Sequence, residues 1–198
     1  MIDPNRAVRS SGKSRVRVEF YTPSYHVSGD VDVARWRLPD VLNDHTSPFV
    51  IMENAVREPL PGFAQLGGTE LSRAAQYLQI GKASILFAIP HEAPEHELAR
   101  KSYLSALYSE RALVNAATIL TPFEVHGTMH LRRPYRMRQA LEDLPSAFIP
   151  MTHVEAVYLP DPRLRVIAEL IVVNRAVAEL FALASETTVA AQHGFSPS

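Results

Sequence analysis

The chain has no cysteine, which excludes disulfides, thiolate metal ligands and thiol catalysis together. That absence fits a reducing compartment, and the cytoplasm is the expected location. Excess charge of one sign is also lacking. The 20 Lys and Arg stand against 21 Asp and Glu, a formal net charge of -1, so no global field would recruit nucleic acid or an anionic membrane without a local patch. No stretch approaches the roughly 20 apolar residues of a membrane helix. The first 15 residues lack the apolar core of a secretory signal, and no membrane association is expected. G-x-S-x-G, H-E-x-x-H and G-x-G-x-x-G are absent as well. Gly12-Lys13-Ser14 imitates the end of a phosphate-binding loop, but Ala7 stands where its first glycine belongs, and the tripeptide precedes a strand pattern instead of following one.

What is present is an ordinary globular composition, 46% hydrophobic and 21% charged, which excludes a chain disordered throughout. Its 198 residues leave room for two small domains. An internal repeat accounts for that length. LNDHTSPFVIM (Leu42 to Met52) lies without a gap over LEDLPSAFIPM (Leu141 to Met151), at a spacing of 141 − 42 = 99 and with 5 of 11 positions identical. Upstream, with a one-residue slip, VSGDVDV (Val27 to Val33) lies over VHGTMHL (Val125 to Leu131), and Gly29 falls on Gly127. Downstream, SILFAI (Ser84 to Ile89) resembles ELIVVN (Glu169 to Asn174) at a spacing of 169 − 84 = 85, which leaves about 14 extra residues in the first copy. Those residues predict a short amphipathic helix, capped by Thr69 and carrying Leu71, Ala74, Ala75 and Leu78 on one face.

Period-two patterns mark the strands. RVRVEF sends Val16, Val18 and Phe20 to one face and Arg15, Arg17 and Glu19 to the other, and VSGDVDV does the same with Val27, Val31 and Val33 against Asp30 and Asp32. The short TPSYH connection makes the two antiparallel, with Arg15 and Arg17 across from Asp30 and Asp32. Leu38, Val41 and Leu42, and then Met137, Ala140 and Leu141, predict a helix of one or two turns in each copy. Phe49 to Val56 and Phe148 to Val157 return to strand, and the apolar runs near Ile85 and Ile171 are continuous enough to be buried on both faces. Val177 to Leu183 fits either a last strand or a terminal helix. The expected fold is therefore mainly β with short helices, an α+β chain of two tandem, barrel-like units of strand-strand-helix-strand-strand type. The layout is a flexible basic arm over 1–14, a first β repeat over 15–92 with the helical insert near 69–81, a linker helix over 93–112, a second β repeat over 113–185 and a disordered tail over 186–198.

Candidate chemistry is sparse. His126 and His130 lie on a strand, where four residues separate them by about 13 Å, so both read as surface residues that cannot share a metal. His91 and His96, among Glu92, Glu95 and Glu97, lie in a proline-bounded segment that reads as a loop entering a helix, where acids favour the dipole. Asp44 with Ser47 and Asp143 with Ser146 read as turn chemistry. Trp36, flanked by Arg35 and Arg37, is a contact candidate whose indole more simply packs. Neither a metal site nor a cofactor is expected, and the binding candidates are Arg15, Arg17, Trp36 and Arg37.

The strand pair with a central glycine, the polar Asn43-Asp44 turn and the strands VRVEF, VSGDVDV and FVIMENA resemble the Sm/LSm-type small β-barrel, as do VHGTMHL, Glu142-Asp143 and FIPMTHV in the second copy. The LIVVN strand ending at Asn174 resembles the closing strands of duplicated units in bacterial proteins. WRLPDVLN and YRMRQALE depart from the Sm pattern by inserting a helix where that family has a short turn, and the family's Arg-Gly nucleotide pair is missing. The resemblance implies exposed edge strands that pair with neighbours. Three functions follow as expectations: a non-enzymatic module that self-associates or binds a protein partner through barrel edges and the linker helix; a single-stranded RNA-binding protein using Arg15, Arg17 and the basic arm; and an enzyme assembled from distant loops without a local motif.

Overall fold

The computed structural model describes residues 15–33, 36–63, 73–91, 111–132, 136–142, 144 and 146–184. The strands are β1 (Arg15–Tyr21), β2 (Tyr25–Asp32), β3 (Phe49–Pro59), β4 (Ala74–Gly81), β5 (Phe87–His91), β6 (Arg111–Leu120), β7 (Phe123–Arg132), β8 (Phe148–Tyr158), β9 (Arg165–Asn174) and β10 (Leu180–Ala184). Helix α1 (Leu38–Asn43) joins β2 to β3, and α2 (Met137–Glu142) joins β7 to β8. Single 3-10 turns, Lys82–Ser84 and Arg175–Val177, stand before β5 and β10. All ten strands form one sheet in the order β10-β6-β7-β8-β9-β5-β1-β2-β3-β4, and every neighbouring pair is antiparallel.

Alternation drives the strands. In β1, Val18 and Phe20 are buried while Arg15 and Arg17 are exposed. The Thr22 hydroxyl closes the β1–β2 hairpin by accepting the Tyr25 N–H at 2.9 Å, and the register sets Arg15 opposite Asp32 and Arg17 opposite Asp30, as the charge pattern predicts. Helix α1 buries Leu38 and Leu42, four apart on its inner face. A cation holds the exit of each helix. Lys82 Nζ donates to the carbonyls of Val41 and Asp44, and Arg175 donates to those of Leu141 and Leu144.

Each half also carries a bulge at its glycine. The β2–β3 register shifts between Ser28 and Asp30, around Gly29, and Asn54 takes a left-handed φ of 50°. The β7–β8 register shifts between His126 and Thr128, around Gly127, and His153 takes the same φ of 50°. Glycine is required there, because a Cβ on Gly29 would stand 3.0 Å from the Glu53 carbonyl and one on Gly127 would stand 2.7 Å from Val154 Cγ2.

The hydrophobic core spans both halves. One cluster centres on β6 to β9 but takes in Tyr21, Leu60, Phe87 and Ile89 from the first half. Tyr21 stacks on Phe87 at 4.5 Å, and Phe87 meets Phe123 edge-on at 5.2 Å. The other centres on β1 to β5 and takes in Phe148 and Val172 from the second half.

Several expectations are corrected. Residues 74–81 form strand β4 in place of a helix. Ala74 and Leu78 share a face in a helix and in a strand alike, while Ala75 falls on the other face of the strand, and pairing along β3 from Val56↔Ala74 to Phe49↔Gly81 supplies a ladder that a helix this short could not match. Residues 69–72 lie outside the described residues. The 85-residue offset fails because the two similar runs belong to different strands, β5 and β9, which pair with each other. By element order β4 corresponds to β9, and β5 to β10, so among the described residues each half has five strands. Val177 to Leu183 resolves into the end of a 3-10 turn followed by β10. Arg111 and Ala112 begin β6, while the rest of the linker segment, the basic arm and the 186–198 tail lie outside the described residues. Among the described residues the sheet closes no barrel, and β10 and β4 are its two ends.

Candidate functional site

The joint between the halves is the sheet's most informative feature. Strands β5 and β9 meet through Phe87↔Val173 and Ala88↔Val172, with all four residues fully buried. The backbone N–H of Asn174 donates to the Leu86 carbonyl at 2.9 Å. Its buried side chain donates to the carbonyls of Ile85 at 2.8 Å and Lys82 at 3.2 Å, and accepts the Ala176 N–H at 3.1 Å. Beside it Phe148, 4% exposed, enters the first half's core cluster.

The two ends of the sheet look different. Among the described residues, nothing pairs with the outer sides of β4 and β10. Large apolar side chains are exposed there: Phe49 and Ile51 on β3, Tyr77 on β4 and Leu180 on β10.

A second cluster lies on β1, β2 and β5. Glu19 accepts from His91 Nε2 at 2.7 Å and from His26 Nε2 at 2.9 Å, with the Tyr21 hydroxyl at 3.3 Å. Burial raises the Glu19 carboxyl, but the hydrogen bonds and charge of His91 and His26 outweigh it and hold the group below its ordinary value. Burial, and then the Glu19 charge, push the Tyr21 phenol up. Residues 19, 26 and 91 show no local spacing, so sequence reading missed this cluster. Among the described residues, no group of three or more His, Asp or Glu is arranged to hold a metal ion.

A cleft of about 290 Å³ separates α1 from β7 and β8, lined by Arg37, Asp40, Asn43, His130, Phe148 and Thr152 among others. His130 is half-buried there, with Nε2 2.8 Å from the Thr152 hydroxyl, instead of facing solvent. His126 is exposed and pairs with Glu124 at 2.9 Å.

The remaining candidates separate clearly. Arg15 pairs with Glu53 at 2.7 Å, and Arg17 faces Asp30 at 3.4 Å and Ser28 at 3.3 Å, so each is matched by the sheet's own polar groups. Arg37 grips Asp40 through backbone and guanidinium, and burial only partly offsets these bonds in lowering the Asp40 carboxyl. Trp36 is 68% exposed, which overturns a packing role for its indole. Asp44 does perform turn chemistry, accepting the N–H of Thr46 at 2.9 Å and its hydroxyl at 2.8 Å. His91 ends β5, while His96, Glu92, Asp143 and Gly12-Lys13-Ser14 lie outside the described residues. No helix among the described residues is long and apolar enough to cross a membrane. Compared with known protein families, curated proteins and solved structures, the chain matches none.

Proposed function

We propose that this chain is a non-enzymatic assembly module made of two tandem, Sm-like units, and that it associates through the edges of its sheet. The observation carrying this reading is that, among the described residues, no strand lies beyond β4 or β10 in the sheet, and Phe49, Ile51, Tyr77 and Leu180 are exposed on or beside these two strands. An unpaired strand presents a row of N–H and C=O groups, and an apolar fringe adds burial to that pairing. Homo-oligomerisation satisfies both terms. Single-stranded RNA binding draws less support, because Arg15 and Arg17 are matched by acids. Light scattering on the full chain over a wide concentration range tests the proposal. A mass above the monomer is expected, and a strict monomer at the highest concentration overturns it.

A further inference from the structure

Resting on that reading for association itself, we infer that a second copy of this chain pairs with the free side of β9, antiparallel and about a two-fold axis through Ile167. The site lies inside the strand order, apart from both ends of the sheet. Strand β9 pairs with β5 at Phe87↔Val173 and Ala88↔Val172. From Ile89 on, β5 stays with β1, as far as Arg17↔His91, and leaves β9 behind. Arg165 to Leu170 therefore have β8 on one side, and among the described residues no strand pairs with the other. Their backbone is turned that way. Tyr158 N–H donates to the Leu164 carbonyl at 3.0 Å, so strand alternation points the N–H and C=O groups of Arg165 and Ile167 away from β8.

The sequence of this edge is self-complementary. When RVIAE, Arg165 to Glu169, is laid antiparallel on its own copy about Ile167, the two isoleucines face each other and each Arg165 faces the Glu169 of the other copy. Moving the axis by one residue either way removes both charge matches and sets Ile167 opposite Glu169 or Arg165. The side chains are placed for the contact. Arg165, Ile167 and Glu169 are exposed on one face, while Val166 and Ala168 pack on the core from the other. Ile167, 80% exposed, is the most exposed large apolar side chain among the described residues. Arg165 donates from Nε to the Pro162 carbonyl and from Nη1 to Glu155, which uses two of the five N–H donors of a guanidinium. Glu169 stands 3.9 Å from His153, beyond hydrogen-bond reach.

Duplication alone did not supply this edge. Ile167 opposite Glu155 and Ala74 opposite Val56 hold the same place in their hairpins, an offset of 167 − 74 = 93. On that offset Gln76 stands where Glu169 does, so the first half has neither the apolar centre nor the acid. A contact of this symmetry uses the same patch on both copies and closes at two.

Charge reversal tests the arrangement. Arg165→Glu sets acid opposite acid and Glu169→Arg sets base opposite base, so in light scattering on the full chain each variant alone is expected to lose at least half of the parent's mass. An equimolar mixture of the two is expected to regain it, because a mixed pair matches both charges again. The double variant Arg165→Glu/Glu169→Arg is expected to regain it unmixed. Recovery also shows that the variants fold. A parent chain that assembles while either single variant keeps its mass, or while the mixture or the double variant fails to regain it, overturns the pairing about Ile167 and leaves the assembly reading standing. A parent chain that stays monomeric overturns both.

Discussion

Asn43 and Phe148 exchange two hydrogen bonds across 105 residues of chain: Asn43 Nδ2 donates to the Phe148 carbonyl at 2.8 Å, and Phe148 N–H donates to Asn43 Oδ1 at 2.9 Å. One amide side chain thus completes the start of β8, where no strand on that side does so. Asn43→Ala leaves a donor and an acceptor without protein partners beside the joint, which costs about 1–3 kcal/mol. Urea unfolding of the variant checks this. Asn43→Asp keeps the acceptor and loses the donor, so its loss in midpoint is expected to be partial at neutral pH.

Gly127 is the tighter of the two bulge glycines. A Cβ there meets Val154 Cγ2 at 2.7 Å and the Thr152 carbonyl at 3.1 Å, whereas at Gly29 the nearest atoms are the Glu53 carbonyl at 3.0 Å and Ala55 Cα at 3.1 Å. Both alanine variants force backbone or core to shift, at about 1–3 kcal/mol each. Thermal melting is expected to show a lower midpoint for both. Wild-type stability in Gly127→Ala would mean that the bulge relaxes freely.

Much of this was legible locally. Alternation of Val and Arg in β1 settled its buried face, Gly29 and Gly127 aligned the two copies, and the Leu38/Leu42 pair marked a helix. What escaped was non-local or ambiguous in period. Ala74 and Leu78 fall on one face of either a helix or a strand, and the facing β3 decides between them. The apolar runs of β5 and β9 resemble each other because both are buried centrally, so their likeness was mistaken for repeat equivalence when it reflected a shared environment. The Glu19 cluster joins residues as far as 72 apart in sequence, and no spacing rule reaches that far.

Trp36 offers a direct check on the corrected packing expectation. Its indole is largely exposed, ahead of a helix whose inner face is carried by Leu38 and Leu42. Trp36→Ala is expected to change unfolding free energy by no more than about 0.5 kcal/mol, the ordinary range for surface substitutions. A larger loss would show that the ring covers part of the core.

Glu19 sets a pH dependence whose sign is fixed. Its folded carboxyl lies below the ordinary 4.5, because hydrogen bonds from His91 and His26 and their charge outweigh the effect of burial. The folded state therefore binds fewer protons than the unfolded chain as the pH drops through that region, and stability falls with it. Glu19 contributes fully above pH 4.5, and the contribution disappears as the pH falls through its lowered folded value. Glu19→Gln removes the titrating group and keeps the shape. Chemical denaturation from neutral pH down into the acid range is expected to show a shallower loss for the variant than for the parent chain, with the two curves converging at the acid end. Parallel curves would mean that the two imidazoles do not hold the carboxylate in solution.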